Sequence, residues 1–331
     1  MTKRKTVSEL QQILKEQQYE LAEQNFYYFI KQAWTSIENS TYVDSYHIGN
    51  VAAHIQAHLE GESSLKKLII NLPPGTSKSR VCTIFATAWD WIHRPQREVL
   101  LASNSHSIIC ELGDNIRSLV TSDWYYPYWC EQKNLFKPSS TLWTKNKFAL
   151  DKGGFLKGVS PDSKITGLGT SGRACIDDLN NLQDYLNPDQ LRKDSDWYDS
   201  TFYSRIRSAD VLKLVVQQRV GMEDITSHLL NNEQGWFQLV YAMEYTKHFT
   251  FNSPLGEEYN DPREEGELLV PNRFTSDWLY PIKKDRVKWQ SAYQQSPVAA
   301  EGSLVKTRWL NYVDHLPTNF DTVIISADLA V

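Results

Sequence analysis

A lysine and a serine follow a short turn in the stretch KLIINLPPGTSKSR, residues 67–80. A lysine amine can neutralise the phosphates of a nucleotide, and a serine hydroxyl can bind Mg²⁺. The phosphate-binding pattern G-x-x-x-x-G-K-[ST] is not met, because Leu72 and Ser77 occupy its two glycine positions. Gly75 and the small residues beside it could still leave backbone N–H groups open to phosphate. The stretch therefore predicts either a phosphate-binding loop or an ordinary strand–turn–helix with an exposed lysine.

Two adjacent carboxylates, Asp177 and Asp178, end a second apolar stretch, RACIDD. In ATP-hydrolysing sites an aspartate at a strand end holds Mg²⁺, and a neighbouring acid polarises the attacking water. Two acids after a strand can also form only a solvated turn, because aspartate favours turns. The combination of this pair with a lysine–serine loop favours a nucleotide site.

A third polar group lies in VVQQRVGMED, where an apolar stretch ends in Gln217, Gln218 and Arg219. Polar residues at the tip of a core strand beside a nucleotide can sense its γ-phosphate. Alternatively, Gln218 and Arg219 only cap the edge of a sheet.

The elements that position these residues are predicted from hydrophobic periodicity. Short apolar runs alternate with helical patterns, which predicts an α/β sheet with mostly parallel strands. Helical patterns are predicted over 8–60, ending at the C-cap Gly61, then from Val81 until Pro95, and after the strand 98–103 through about Val120. Strands are predicted at 67–72, 98–103, 173–178, 211–218, 237–244 and 322–331.

Composition limits the classes of protein that the chain can be. A net charge of −5 excludes a globally basic nucleic-acid coat, although it allows a local basic groove. Four scattered cysteines without a C-x-x-C pair favour a reduced protein without a zinc site. His54 and His58 have the spacing of metal ligands, but no third ligand is evident nearby, so we predict a solvated helix face. We find neither a secretory signal nor an apolar run long enough to span a membrane.

Taken in order, the motifs resemble those of the large terminase subunit of tailed bacteriophages, the motor that packages viral DNA. The Pro-Pro form of the loop is similar to the family's Walker A motif, and the acid pair to its Walker B motif. The polar strand end resembles its coupling motif. Further similar stretches are DPREEGELLVPNRF and YQQSPVAAEGSL after the ATPase core, and ISADLA at the start of a nuclease domain.

This resemblance implies a P-loop NTPase fold of the ASCE type, a mostly parallel sheet sandwiched by helices. A small helical and irregular lid lobe would come from the N- and C-terminal segments. The implied divisions are an N-terminal helical lid segment 1–60, an ATPase core 61–245, a lid and linker subdomain 246–318, and 319–331 as the first strand of a truncated RNase H-like nuclease domain.

The resemblance also implies roles for the site residues. Ser79 and Asp177 would hold Mg²⁺, and Asp178 would be the catalytic carboxylate, where many motor ATPases have glutamate. Gln218 and Arg219 would couple hydrolysis to movement of the lobes. ATP would be bound by Pro74, Gly75, Thr76, Ser77, Lys78, Ser79 and Arg80.

Two further roles concern an arginine and a second metal site. Ring motors complete each ATP site with a neighbour's arginine, for which Arg173 is the first candidate, before Arg205 and Arg207. An arginine in such a position can instead simply pair with an acid. Asp328 would be the first nuclease metal ligand, and the remaining ligands would lie beyond Val331, so nuclease activity is expected only of a longer protein.

The predicted function is therefore an Mg²⁺-dependent ATPase that moves double-stranded DNA into a prohead. Its expected partners are non-specifically bound DNA, the portal protein, the small terminase subunit and further copies in a ring, in the host cytoplasm and without a membrane. Two alternatives stay open: another P-loop nucleic-acid translocase or helicase, and a non-hydrolysing structural docking module, which the missing glycines would suit.

Overall fold

A computed structural model describes residues 6–163, 169–247 and 251–298. The predicted strand 322–331 and Asp328 lie outside these residues. The described strands are β1 (Lys67–Asn71), β2 (Glu98–Ala102), β3 (Pro138–Trp143), β4 (Lys147–Leu150), β5 (Phe155–Val159), β6 (Arg173–Asp177), β7 (Leu212–Gln217) and β8 (Trp236–Val240).

The α-helices lie before, between and after these strands. They are α1 (Val7–Gln24), α2 (Phe26–Ala33), α3 (Tyr46–Glu60), α4 (Ala86–His93), α5 (His106–Val120), α6 (Pro188–Trp197), α7 (Ile225–Asn232), α8 (Ser276–Lys283) and α9 (Arg286–Lys288). A π-helical segment, Arg80–Phe85, joins the lysine–serine loop to α4. Within the described residues, no helix is long and apolar enough to cross a membrane.

The strands form one sheet in the order β3-β4-β5-β2-β6-β7-β1-β8. All pairs are parallel except β3 with β4 and β4 with β5. Strand β7 pairs with β1 on one side and with β6 on the other, so that Gln217 lies beside Asn71 and Val216 beside Asp177. The carboxyl ends of these three parallel strands therefore meet at one edge of the sheet. The predicted α/β fold with a mostly parallel sheet is confirmed.

Both faces of the central strands are buried, which explains their continuous apolar runs. In β1, Leu68 and Ile70 pack into a core shared with α1 to α5. Ile69, between them, points to the opposite face and a second core that contains Phe202 and Leu229. This alternation places helices on both sides of the sheet, as predicted.

The predicted strands within the described residues are present, with ends shifted by a few residues. Strands β3, β4 and β5 were not predicted. Strand β3 is an edge strand in which no residue is fully buried, and its pairing with β4 shifts register. Half-exposed edge strands of this kind lack the apolar pattern on which the prediction depends.

The prediction of a solvated face at His54 and His58 was wrong, because both side chains are fully buried. The His54 ring stacks on Phe237, with 5.6 Å between the ring centroids. His58 Nδ1 donates a hydrogen bond to the Leu65 carbonyl at 2.7 Å. Both residues thus belong to the face of α3 that packs on the sheet. The predicted C-cap is confirmed, since Gly61 has a φ of 89°.

Candidate active site

The loop after β1 makes a tight turn in which two residues have a left-handed backbone. Gly75 has a φ of 78° and Ser77 a φ of 66°. Glycine adopts this conformation without a steric penalty, whereas serine does so at a cost. Ser77 therefore takes the backbone conformation that a glycine usually supplies, although the sequence pattern lacks that glycine. The Thr76 hydroxyl fixes the turn by donating to the Pro73 carbonyl at 2.7 Å.

The turn leaves backbone donors free where a phosphate would lie. The N–H groups of Gly75, Thr76 and Ser77 donate no hydrogen bond to any residue that the structure describes. The Thr76 carbonyl, by contrast, lies 3.3 Å from Nε2 of buried His47. Free N–H groups at the start of a helix favour an anion. The loop therefore fits the phosphates of a nucleotide.

Lys78 joins two of the predicted functional segments. Its Nζ lies 2.9 Å from Asp178 Oδ2 and 2.5 Å from Gln218 Oε1. The Lys78 side chain is 10% exposed and that of Asp178 is 19% exposed. An amine this close to a cavity and this poorly hydrated would gain strongly from a phosphate partner.

Asp177 is the buried acid of the pair. Its Oδ1 accepts a hydrogen bond from the Ser79 hydroxyl at 2.8 Å, and its other oxygen accepts one from Thr83. Burial, together with the negative charge of Asp178, raises the pKa of Asp177 to about 6. A hydroxyl oxygen beside a carboxylate oxygen is a donor set that Mg²⁺ accepts, since Mg²⁺ commonly takes few protein ligands and completes its shell with water and phosphate. No cluster of three or more acidic, histidine or cysteine ligands occurs in the described part of the chain.

Asp178 is held in an unusual backbone conformation. Its φ is 50°, its N–H donates to the Val216 carbonyl at 2.9 Å, and its carbonyl accepts from the Asn104 side chain at 2.7 Å. Its carboxylate Oδ1 is buried and has no hydrogen-bond partner in the described residues. A buried carboxylate oxygen without a partner suits a group that accepts a proton from water. Asn104, which follows β2 at the same sheet edge, was not predicted as a site residue from the sequence.

The two predicted coupling residues face different partners. Gln218 contacts Lys78, as described above. The Arg219 guanidinium instead donates to the Asp224 carboxylate and to the Ser227 hydroxyl. The Arg219 N–H donates to Gln295 Oε1 at 2.9 Å. Gln218 is therefore the member of the pair that reaches the loop.

The structure does not bring Arg173 to the acid pair. Arg173 is the first residue of β6, at the opposite end of the strand from Asp177, and its side chain is fully buried and donates to Thr87. This placement disagrees with an arginine that enters a neighbour's site, because sequence proximity to the acids is not proximity in space along an extended strand. Arg205 and Arg207 pair through their backbones with Thr170, near the same amino end of β6.

Two adjoining cavities open beside the loop. One has a volume of about 280 Å³ and is lined by Lys78, Ser79 and Arg80, and the other has a volume of about 440 Å³. Arg273, from the segment before α8, lines both. Pro74 lines a third cavity, again with Arg273. Arg273 was missed because nothing in the local sequence indicates that it lies beside a loop so far away in the chain.

The loop after β1, the acid pair after β6 and the tip of β7 thus converge at the carboxyl edge of an α/β sheet. No protein-family model and no curated protein matches the chain. Two similar solved structures are the large terminase of bacteriophage HK97, with a TM-score of 0.46 and 12% identity, and the large terminase of a thermophilic bacteriophage, with a TM-score of 0.42 and 10% identity. They cover 67% and 74% of this chain, and 44% and 52% of their own chains. The chain thus spans about half the length of these two terminases, which belong to the family that its motifs resemble.

Proposed function

We propose that this chain is an Mg²⁺-dependent ATPase and the motor part of a large terminase. The observation that carries the ATPase is the convergence of Lys78, Ser79, Asp177 and Asp178 at one sheet edge, below a turn with free N–H groups. Two separate segments of the sequence supply these groups, and Gln218 reaches Lys78 from a third. A solvated turn or an ordinary strand–turn–helix does not require them to meet.

The residues have complementary roles in this proposal. The free N–H groups and Lys78 bind the phosphates, and Ser79 and Asp177 hold the metal. Bound Mg²⁺–ATP supplies a γ-phosphorus that water can attack in line. Lys78 exchanges its ion pair with Asp178 for a phosphate oxygen, which frees the Asp178 carboxylate to orient the water and accept its proton. Gln218, which contacts the same amine, responds to that exchange.

The motor role is supported by the order of the motifs along the chain. We propose that the chain acts as a ring of identical subunits on a viral prohead, in the host cytoplasm, with the portal protein and the small terminase subunit as partners. It would bind double-stranded DNA through its phosphates, because a packaging motor accepts any sequence. The divisions 1–60, 61–245, 246–318 and 319–331, and a nuclease role for Asp328 in a longer protein, stay proposals.

ATP turnover by the purified chain tests the ATPase. We expect hydrolysis that requires Mg²⁺ and is lost in Lys78→Ala, because the variant removes the cation that faces the phosphates. Lys152→Ala, which changes a lysine with a half-exposed side chain, is the matched control and should keep wild-type turnover. Equal turnover in Lys78→Ala and wild type would refute the loop assignment. Nucleotide binding without any turnover, in the presence of DNA, would favour the docking module instead.

A further inference from the structure

Three cations line the cavity beside the loop, and two of them already have an acidic partner. Lys78 pairs with Asp178, and Arg80 pairs with Glu38. Arg273 has no carboxylate within 4 Å and no side-chain hydrogen bond among the described residues. Its guanidinium is therefore the positive charge at this cavity that the described part of the protein does not neutralise.

Arg273 projects from a hydrogen-bonded turn. The N–H groups of Arg273 and Phe274 both donate to the Val270 carbonyl, at 3.0 and 2.9 Å. Val270 and Phe274 are buried on either side of the exposed tip. An arginine whose backbone is fixed in this way loses little backbone freedom when it binds a ligand.

The same turn packs directly on the phosphate-binding loop. A Cβ atom at Gly75 would lie 3.1 Å from the Phe274 ring and 3.9 Å from Nη2 of Arg273. The Arg273 guanidinium also lies over the Phe274 ring, 5.5 Å from its centroid. Phe274 therefore anchors the turn against Gly75 and keeps the guanidinium beside the free N–H groups of the loop.

We propose that Arg273 binds the phosphates of the bound nucleotide, as a second cation supplied by the segment that precedes α8. This inference rests on the proposed ATP site. A guanidinium presents several N–H donors in one plane and can bind two phosphate oxygens at once, which suits a ligand with several negative charges.

The test is competition of unlabelled ligands against a fluorescent ATP analogue, with Mg²⁺ present. We expect Arg273→Ala to weaken ATP binding about tenfold or more, the typical effect of losing a hydrogen bond between charged groups. The affinity for inorganic tripolyphosphate should fall by a similar factor, because this ligand carries the phosphates without the nucleoside. Arg273→Lys keeps the charge but not the planar fork, so its affinity for both ligands should lie between those of wild type and Arg273→Ala. Arg192→Ala, an exposed arginine on α6, is the control and should match wild type.

The outcomes separate this inference from the proposed function. If wild type binds neither ATP nor tripolyphosphate, the proposed ATP site fails. If wild type binds both and Arg273→Ala binds them equally well, only the role of Arg273 fails. A variant that loses affinity for ATP but not for tripolyphosphate would show a contact to the nucleoside and would overturn the proposal. A loss of binding to double-stranded DNA, with unchanged tripolyphosphate binding, would overturn it as well.

Discussion

The two ends of strand β6 both carry charged residues with buried side chains, but among the described residues only the carboxyl end contacts the lysine–serine loop. At the carboxyl end, Asp177 and Asp178 contact Ser79 and Lys78 of the loop after β1, beside the tip of β7. At the amino end, buried Asp90 pairs with Arg97 at 3.1 Å and with Arg94 at 3.5 Å, close to Arg173. The loop lines the cavities and is contacted by Asp177 and Asp178 through Ser79 and Lys78, whereas none of these amino-end residues bonds to the loop in the described part of the chain. Burial of charge alone therefore does not mark a candidate site; contact with a loop that has free N–H groups does.

Several buried nitrogen atoms at the amino end lack a hydrogen-bond partner. Two of the three guanidinium nitrogens of Arg173 and Nε2 of His58 have no hydrogen-bond partner in the described residues. Burial raises the pKa of Asp90 despite its arginine neighbours. This end is a polar cluster of the core, and we expect it to control stability rather than turnover.

The largest expected effect comes from Asp178→Asn at the carboxyl end. ATP turnover should fall about 10²–10⁴-fold, the usual contribution of a positioned acid or base. Asparagine tolerates the left-handed backbone of residue 178, so the fold should be retained. Single-turnover hydrolysis together with the midpoint of urea unfolding measures both effects. Wild-type turnover in this variant would remove Asp178 from the chemistry.

The next largest effect is expected from Asp90→Ala at the amino end. The free energy of unfolding should fall by about 3–5 kcal/mol, because Arg97 loses its buried partner. Urea unfolding measures the change, with the exposed Asp123→Ala as the control that should shift it by less than about 1 kcal/mol. The folded fraction should keep its affinity for ATP. If Asp90→Ala unfolded like wild type but lost turnover, the contrast between the two ends would be wrong.

A smaller, pH-dependent effect is expected at His58. Burial lowers its pKa to about 3, so the folded chain keeps this imidazole neutral while the unfolded chain protonates it near pH 6.5. The resulting stability is present above pH 6.5 and is lost as the pH falls, by roughly 2 kcal/mol at pH 5. His58→Asn keeps a donor for the Leu65 carbonyl and cannot titrate. Urea unfolding at pH 7 and pH 5 measures how much free energy of unfolding is lost between the two pH values. This loss should be about 2 kcal/mol smaller in the variant than in wild type, and equal losses would contradict the neutral state of buried His58.

The sequence predicted the elements whose signals are local. Apolar runs gave β1, β2, β6 and β7, and a turn followed by Lys78 gave the loop. Buried polar positions could not be predicted in this way, because what covers His54 or Arg173 comes from distant segments. The same reason applies to Arg273, whose proximity to Gly75 depends on how residues 270–274 return to the loop. Arg173 was misplaced because nearness in sequence was taken for nearness in space.

The position of β7 between β1 and β6 fixes the width of the candidate site. Each strand spacing is roughly 4.8 Å, so β1 and β6 lie about 10 Å apart. Because both faces of these strands are buried, a shift of register would move each side chain into the opposite core, which is packed for a different set of side chains, and is disfavoured. The separation between the lysine loop and the acid pair is thus a property of the backbone hydrogen bonds. Substitutions of the side chains can change the chemistry of the site without changing its size.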